Sequence, residues 1–241
     1  MAYAIISDVH ANLHALKTVL ADIKARGIQE IHFGGDAVGY GPKPNECIEM
    51  LKTECNTLIA GNHDWALIGY TDIEYFNPHA AAAILWSRGV VSEEHFGDLE
   101  AFKILKNLAP RDAMLVHSTP FEPENWNYLF SPQDIEKNFL HFTQKICFVG
   151  HSHFPVIVEK LPDGQLTGHK NRIELDDSSR YIINAGSVGQ PRDHDPRASY
   201  AVIHDTAAEI VRVEYDVKET QKEMTDAGLP DKLIERLTHG V

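Results

Sequence analysis

The sequence predicts an α/β fold in one domain, with a parallel sheet laid down first and an antiparallel or mixed sheet packed on it. Three observations carry that expectation. Apolar strands alternate with amphipathic helices from Tyr3 to Ala60. The last third changes to short strands separated by turn residues such as Pro162-Asp163-Gly164. No repeat, linker or low-complexity tract divides the 241 residues, so 1–241 reads as a single domain despite a change of pattern near residue 155.

Tyr3–Ile6 reads as a buried strand. Leu13, Leu16, Val19, Leu20 and Ile23 then recur on one helical face, and Gly27 supplies the stop. A strand over Glu30–Phe33 follows. Pro44 suits the first turn of a helix that carries Cys47, Ile48 and Leu51 inward. Thr57–Ala60 completes a β-α-β-α-β order, which requires parallel strands and right-handed crossovers. The middle predicts helices over His79–Arg88 and Glu94–Asn107, a strand at Ala113–Val116, a helix over Pro132–Phe142 and a strand at Ile146–Val149. The last third predicts strands at Val156–Glu159, Gln165–Thr167, Arg172–Leu175, Tyr181–Asn184, Tyr200–His204 and Glu209–Tyr215, then helices near Glu219–Ala227 and Asp231–Thr238.

Composition narrows the function classes. With 22 basic and 35 acidic side chains the net charge is −13, which repels a phosphate backbone and argues against general nucleic-acid binding. Cys47, Cys55 and Cys147 form no C-x-x-C pair and read as reduced thiols, as expected of a cytoplasmic protein. MAYAIISDVH lacks the basic start and long apolar stretch of a signal peptide, and no run approaches the roughly 20 apolar residues of a membrane span.

The polar residues that follow the strands carry the chemistry. Asp8 and His10 follow the first strand, Asp36 the second, and Asn62, His63 and Asp64 the third. His117 and then His151 and His153 follow two later strands. Glycine precedes the polar group in Gly34-Gly35-Asp36, Gly61-Asn62 and Gly150-His151, where a backbone packed on a metal leaves no room for Cβ. Ligands bind beyond the carboxyl ends of strands in open α/β sheets, so these residues can share one crevice. Carboxylate, imidazole and amide oxygen suit divalent Mn, Fe, Zn, Co or Ni, with Mn favoured, and the absence of cysteine argues against structural zinc. Asp8, His10, Asp36, Asn62, His117, His151 and His153 are seven candidate ligands. That is too many for one open four-coordinate ion and about right for two ions sharing a carboxylate. The other nine histidines read as core, cap or surface residues.

D-x-H (Asp8, His10), GGD (ending at Asp36), GNHD (Gly61 to Asp64), the lone His117 and GHSH (Gly150 to His153) resemble the motifs of the calcineurin-like metallophosphoesterase superfamily. The resemblance spans residues 8–153. It implies a four-layer αββα sandwich of two mixed β-sheets flanked by helices. It also implies that Asp8, His10 and His153 hold one metal and Asn62, His117 and His151 the second, with Asp36 bridging. His63 would act on the leaving group, oriented by Asp64. Relatives of protein serine/threonine phosphatases and symmetrical diadenosine tetraphosphatases carry GDxVxRG and GNHE. This chain has GDAVGYG, with Tyr40 at the arginine position, and GNHD. SDVHANLHAL, GGDAVGYGPKP and NAGSVGQPRD instead resemble the small bacterial and archaeal phosphodiesterase branch.

These features imply a phosphodiesterase in which two ions acidify a water and His63 is the general acid. Arg192 either contacts the phosphate, together with Asn62, or pairs with Asp193 or Asp195. The aromatic segment Thr119–Phe130 either stacks a nucleobase or phenyl group, or packs its own loop down. The substrate is expected to be a small phosphoester, possibly a nucleotide. A phosphomonoesterase on the same centre and a non-catalytic interaction module remain the alternatives.

Overall fold

The computed structural model describes residues 2–241. Strands β1 (Tyr3–Ile6), β2 (Ile31–Phe33) and β3 (Thr57–Leu58) are parallel and joined through α1 (Leu13–Ala25) and α2 (Pro44–Glu54), as the alternation predicts. The chain then forms α3 (Asn62–Ile68), α4 (Pro78–Val90), α5 (Glu93–Ala101), β4 (Leu105–Leu108), β5 (Ala113–Val116), α6 (Pro132–Asn138) and β6 (Ile146–Val149). Strands β7 (Val156–Lys160), β8 (Leu166–His169), β9 (Arg172–Glu174), β10 (Arg180–Asn184), β11 (Ala198–Ile203) and β12 (Ala207–Val213) precede α7 (Val217–Asp226) and α8 (Asp231–His239).

Two six-stranded mixed sheets result, ordered β3-β2-β1-β11-β12-β9 and β4-β5-β6-β10-β7-β8. The last third does not build a sheet of its own. Strands β11, β12 and β9 extend the first sheet by antiparallel pairing, while β10, β7 and β8 complete the second. The helix expected over Glu94–Asn107 is also shorter. It ends at Ala101, and Leu105–Leu108 becomes an edge strand antiparallel to β5. The second sheet offers Ala113–Val116 as a four-residue pairing partner, and that tertiary partner overrides a weak helical period.

β1 shows how the layers are glued. Its alternating side chains send Ala4 and Ile6 to the helical face, among Leu16, Val19, Phe33 and Ile48. Tyr3 and Ile5 point the other way, between the sheets, with Phe148, Tyr181 and Ile183. Full burial of a side chain such as Ile5 contributes about 1.5–3 kcal/mol. A third cluster lies outside the second sheet, where Val149, Val158 and Ile182 meet Phe139 and Phe142 beside α6. α6 has only seven residues, so this outer layer is thinner than the one over the first sheet. α4, α7 and α8 gather Ala80, Met224, Leu233 and Leu237 around Tyr40. No helix among the described residues is long and apolar enough to cross a membrane.

Candidate metal centre

The parallel strands β1 and β2 of one sheet and β5 and β6 of the other end at a common edge, where their loops are tied together by backbone hydrogen bonds. Asp8 N–H donates to Gly35 O, and Gly150 N–H donates to His117 O. Each loop turns sharply. Asp8, His10, Asp36, His151 and His153 all take left-handed φ angles of 48–62°. Such residues are uncommon away from glycine and persist where surrounding structure over-determines them. Gly61 and Gly150 are needed for close approach. A Cβ on Gly61 would strike the Asp36 carboxylate, and one on Gly150 would strike Asp8.

The turns bring the candidate ligands into two groups that share Asp36. Ligand atoms of Asp8, His10, Asp36 and His153 lie within 4.8 Å of one another, as do those of Asp36, His117 and His151. Asp36 Oδ2 is 3.6 Å from His10 Nε2 and 3.3 Å from His117 Nε2. Asp8 Oδ1 is 3.1 Å from His153 Nε2. Asn62 Oδ1 lies 3.3 Å from His117 Nε2 and so joins the second group.

The nitrogens turned away from the site fix which nitrogen of each histidine can meet a metal. Nδ1 of His10, His117 and His153 lies 3.0, 2.8 and 2.6 Å from the carbonyl oxygens of Val38, Gly34 and Gln190. A carbonyl only accepts, so each Nδ1 carries the proton and each Nε2 is turned inward. His151 is reversed. Its Nε2 donates to Trp126 O at 2.9 Å, which leaves Nδ1 as the ligand atom. Carbonyl partners of this kind fix the tautomer and orientation of metal-binding imidazoles. The consequence is sharpest between His10 and His153, whose Nε2 atoms face each other at 3.0 Å. Two opposed lone pairs at that distance need a cation, so the donor set fits divalent ions at both groups.

Electrostatics agree. Burial alone would raise the Asp8 and Asp36 carboxyls, but the facing imidazoles, led by His153 and His117 respectively, hold both well below the usual carboxylate range. Burial depresses His10 and His153, and pushes His151 down to about 3, so these rings are neutral and have a lone pair free for an ion. His117 differs. Burial opposes its protonation, yet Asp36 and then Asp8 overcome it and lift its pKa to about 10. Below that pH the metal-free site holds a proton on His117 that an arriving ion must displace. Manganese loading at pH 7 is therefore expected to release at least one proton, with apparent affinity falling as pH falls, by about tenfold per unit for each proton displaced. Calorimetry in buffers of different ionisation enthalpy measures this, and loading without proton release would contradict the placement.

His63 and Asp64 part company. Expectation had Asp64 orienting the His63 ring. Its oxygens are instead spent on the backbone N–H groups of Asp36, Ala37, Val38 and Gly61, at 2.8–3.2 Å. As the third residue of α3, Asp64 reaches back to the helix cap and at the same time pins the turn that presents Asp36. Burial, then the Asp36 charge, pushes its carboxyl up to about 7. Asp64→Ala would orphan those amides and is expected to cost about 3 kcal/mol or more of stability. Denaturant unfolding would show it; a rate defect in a protein of undiminished stability would restore the orienting role.

The His63 ring is wedged among Tyr40, His10 and Phe76, with centroids 4.5, 4.8 and 4.9 Å away. The backbone N–H of His63 donates to Asp36 Oδ1 at 2.9 Å. Nδ1 is buried without a partner against Gly39, which leaves Nε2 for the cleft. That cleft, about 890 Å³, opens over both ligand groups and is lined by Asn62, His63, Tyr40, His151, His153 and Arg192.

Arg192 pairs with neither Asp193 nor Asp195, which bind Arg212 and Arg197. It donates to Tyr40 Oη at 3.2 Å and to Gln190 Oε1 at 2.9 Å. A guanidinium from the far end of the chain thus reaches the place where the sequence has tyrosine instead of arginine. The aromatic loop divides its duties. Trp126 packs down, its indole N–H on Thr71 Oγ1 at 3.1 Å and its carbonyl on His151. Tyr128 stacks on His151 at 4.2 Å and 19° and stays partly open. No residue type could signal the Trp126 and Gln190 carbonyls, because backbone partners leave no side-chain signature.

Comparison with known proteins places this geometry. The calcineurin-like phosphoesterase superfamily domain matches residues 1–208. An uncharacterised protein of Methanocaldococcus jannaschii is 42% identical over 241 residues, covering 98% of this chain and 97% of its own. The crystal structure of a metallophosphoesterase from Sphaerobacter thermophilus superposes with a TM-score of 0.87 at 40% identity, covering 100% of this chain and 99% of that one. A hypothetical protein from Pyrococcus horikoshii shares the fold, with a TM-score of 0.78 at 20% identity over 100% and 98% of the two chains.

Proposed function

The chain belongs to the calcineurin-like phosphoesterase superfamily, and we propose that it is a metal-dependent phosphodiesterase acting on small diesters. The observation that carries the choice of diester is the charge of the cleft. Among the described residues Arg192 is the only lysine or arginine that lines it, while Asp72 and Glu124 stand on the rim. Both kinds of substrate would meet the charge of the ions; beyond it, one guanidinium matches the single negative charge of a diester, and the rim carboxylates disfavour the second charge of a monoester dianion.

Asp8, His10 and His153 would hold one divalent ion, Asn62, His117 and His151 the second, and Asp36 both. This oxygen and imidazole set suits Mn, Fe, Zn, Co or Ni, and manganese is the ion we take for the test. Bound there, two such ions would acidify a water and neutralise phosphoryl charge. The chain's own residues do the rest. Arg192, held by Tyr40 and Gln190, and Asn62 orient the phosphate from either side. His63 presents Nε2 to the leaving oxygen and gives it a proton. Trp126 and Tyr128 wall the second group from bulk water.

The test is turnover by metal-stripped protein reloaded with manganese, on bis-p-nitrophenyl phosphate beside p-nitrophenyl phosphate. A higher kcat/KM on the diester, lost on stripping, is expected. Preference for the monoester would turn the reading to a phosphatase. Two ions bound with no turnover of either compound would favour a binding module.

A further inference from the structure

The large aromatic side chains that stay exposed among the described residues are Tyr70, Tyr75, Tyr128, Phe130 and Phe154. All five line either the cleft or a second cavity beside it. Apolar surface gathered in this way marks a binding site, whereas scattered exposure needs no explanation. The second cavity, about 450 Å³, lies where the outer layer of the second sheet is thin. Val149, Val158 and Ile182 form its floor, and Ile135 of α6, Leu129 and Phe130 its wall. Asn127, Tyr128, His151 and Arg192 line both spaces, so the two adjoin beside the second ligand group.

Resting on the diesterase reading above, we infer that this cavity holds the retained arm of the diester and that the arm is an uncharged, flat aromatic group. His63 lines the cleft and not the cavity, so a leaving oxygen that faces His63 directs the other ester substituent away from it. The mouth is built from parallel rings. Phe130 stacks on Tyr128 at 4.7 Å and 10°, and Tyr128 lies flat on His151. Tyr128 is thereby covered on both faces, and the exposed Phe130 ring is left to accept another planar ring in offset stacking. The volume takes one ring system and excludes a polymer. Beyond Arg192 the lining carries no charged lysine, arginine, aspartate or glutamate, while Ser118, Ser152 and Asn184 supply a few hydrogen-bonding groups, the pattern of a site for a neutral aromatic ligand.

The experiment is calorimetry of manganese-loaded protein with methyl phenylphosphonate and methyl methylphosphonate. These monoanions differ only in the arm bonded to phosphorus through carbon, which cannot leave. The phenyl compound is expected to bind about tenfold tighter or more. Ile135→Trp, which fills the cavity from α6, should bring that ratio toward one. Phe130→Ala, which removes an exposed wall outside the core, should lower it in part. Equal affinities for the unaltered protein would overturn the inference, as would a ratio that survives Ile135→Trp in protein with full metal content and Tm. Turnover separates this from the reading it rests on. A phenyl preference in protein that cleaves no diester keeps the cavity assignment and removes the diesterase. Equal kcat/KM on bis-p-nitrophenyl and methyl p-nitrophenyl phosphate does the reverse.

Discussion

Asp36→Asn is expected to abolish the paired metal centre while leaving the fold standing. The carboxylate belongs to both ligand groups, so one oxygen-to-nitrogen exchange weakens both at once. Asparagine keeps the shape and can keep Oδ1 as acceptor for the His63 N–H, so the start of α3 survives. What disappears is the charge. With it goes the main attraction that holds a proton on His117 in the metal-free protein, and the attraction that holds cations in the loaded one. Metal content after dialysis should fall from two equivalents toward one or none. Turnover should drop by at least about 10³-fold, since several kcal/mol of transition-state stabilisation depend on the ions. Elemental analysis and circular dichroism on the same sample decide it. Full activity in a folded Asp36→Asn protein without metal would sink the binuclear mechanism.

The readability of this chain follows from where its information lies. Side-chain identity announced the candidate ligands, because Asp, His and Asn after an apolar strand, with glycine before them, form a pattern that turns alone rarely repeat. The structure gathers all seven at one edge. The β-α-β-α-β start was legible from period, and Leu13–Ala25 and Pro44–Glu54 formed as their apolar faces dictate. What depended on tertiary pairing was not. Leu105–Leu108 has helical neighbours and becomes a strand only because β5 lies beside it. The short strands after residue 155 look alike in sequence, yet they are divided between two sheets, a choice that depends on pairing across more than a hundred residues, such as β1 with β11. Asp64 was misread for a related reason. A carboxylate next to a histidine invites a pair, but the helix turn sends Asp64 back toward the amides of the Asp36 loop, and adjacent helical positions do not face each other.

That misreading makes His63→Ala the more informative of the catalytic variants. With Asp64 elsewhere, the ring is held by its own backbone and by Tyr40, His10 and Phe76, which are packing contacts. Burial, opposed by Asp36 and aided by Arg192, pushes its pKa down to about 4, so the empty cleft holds a neutral imidazole at pH 7. The second proton, which makes the ring an imidazolium able to give one up from Nε2, must then arrive with the substrate, whose phosphoryl charge favours it. Removing the ring should leave both metals bound and lower kcat by about 10²–10⁴-fold. The loss should depend on what departs. An alkoxide needs the proton and should show the full effect, while p-nitrophenolate leaves as a stable anion and should show little. Rates of the parent and His63→Ala proteins on diesters of graded leaving-group pKa measure this as a steeper dependence in the variant. Equal losses across the series would move His63 from proton donor to electrostatic support of the phosphoryl group, and partial recovery in His63→Asn, which can donate a hydrogen bond but no proton at this pH, would establish that second role.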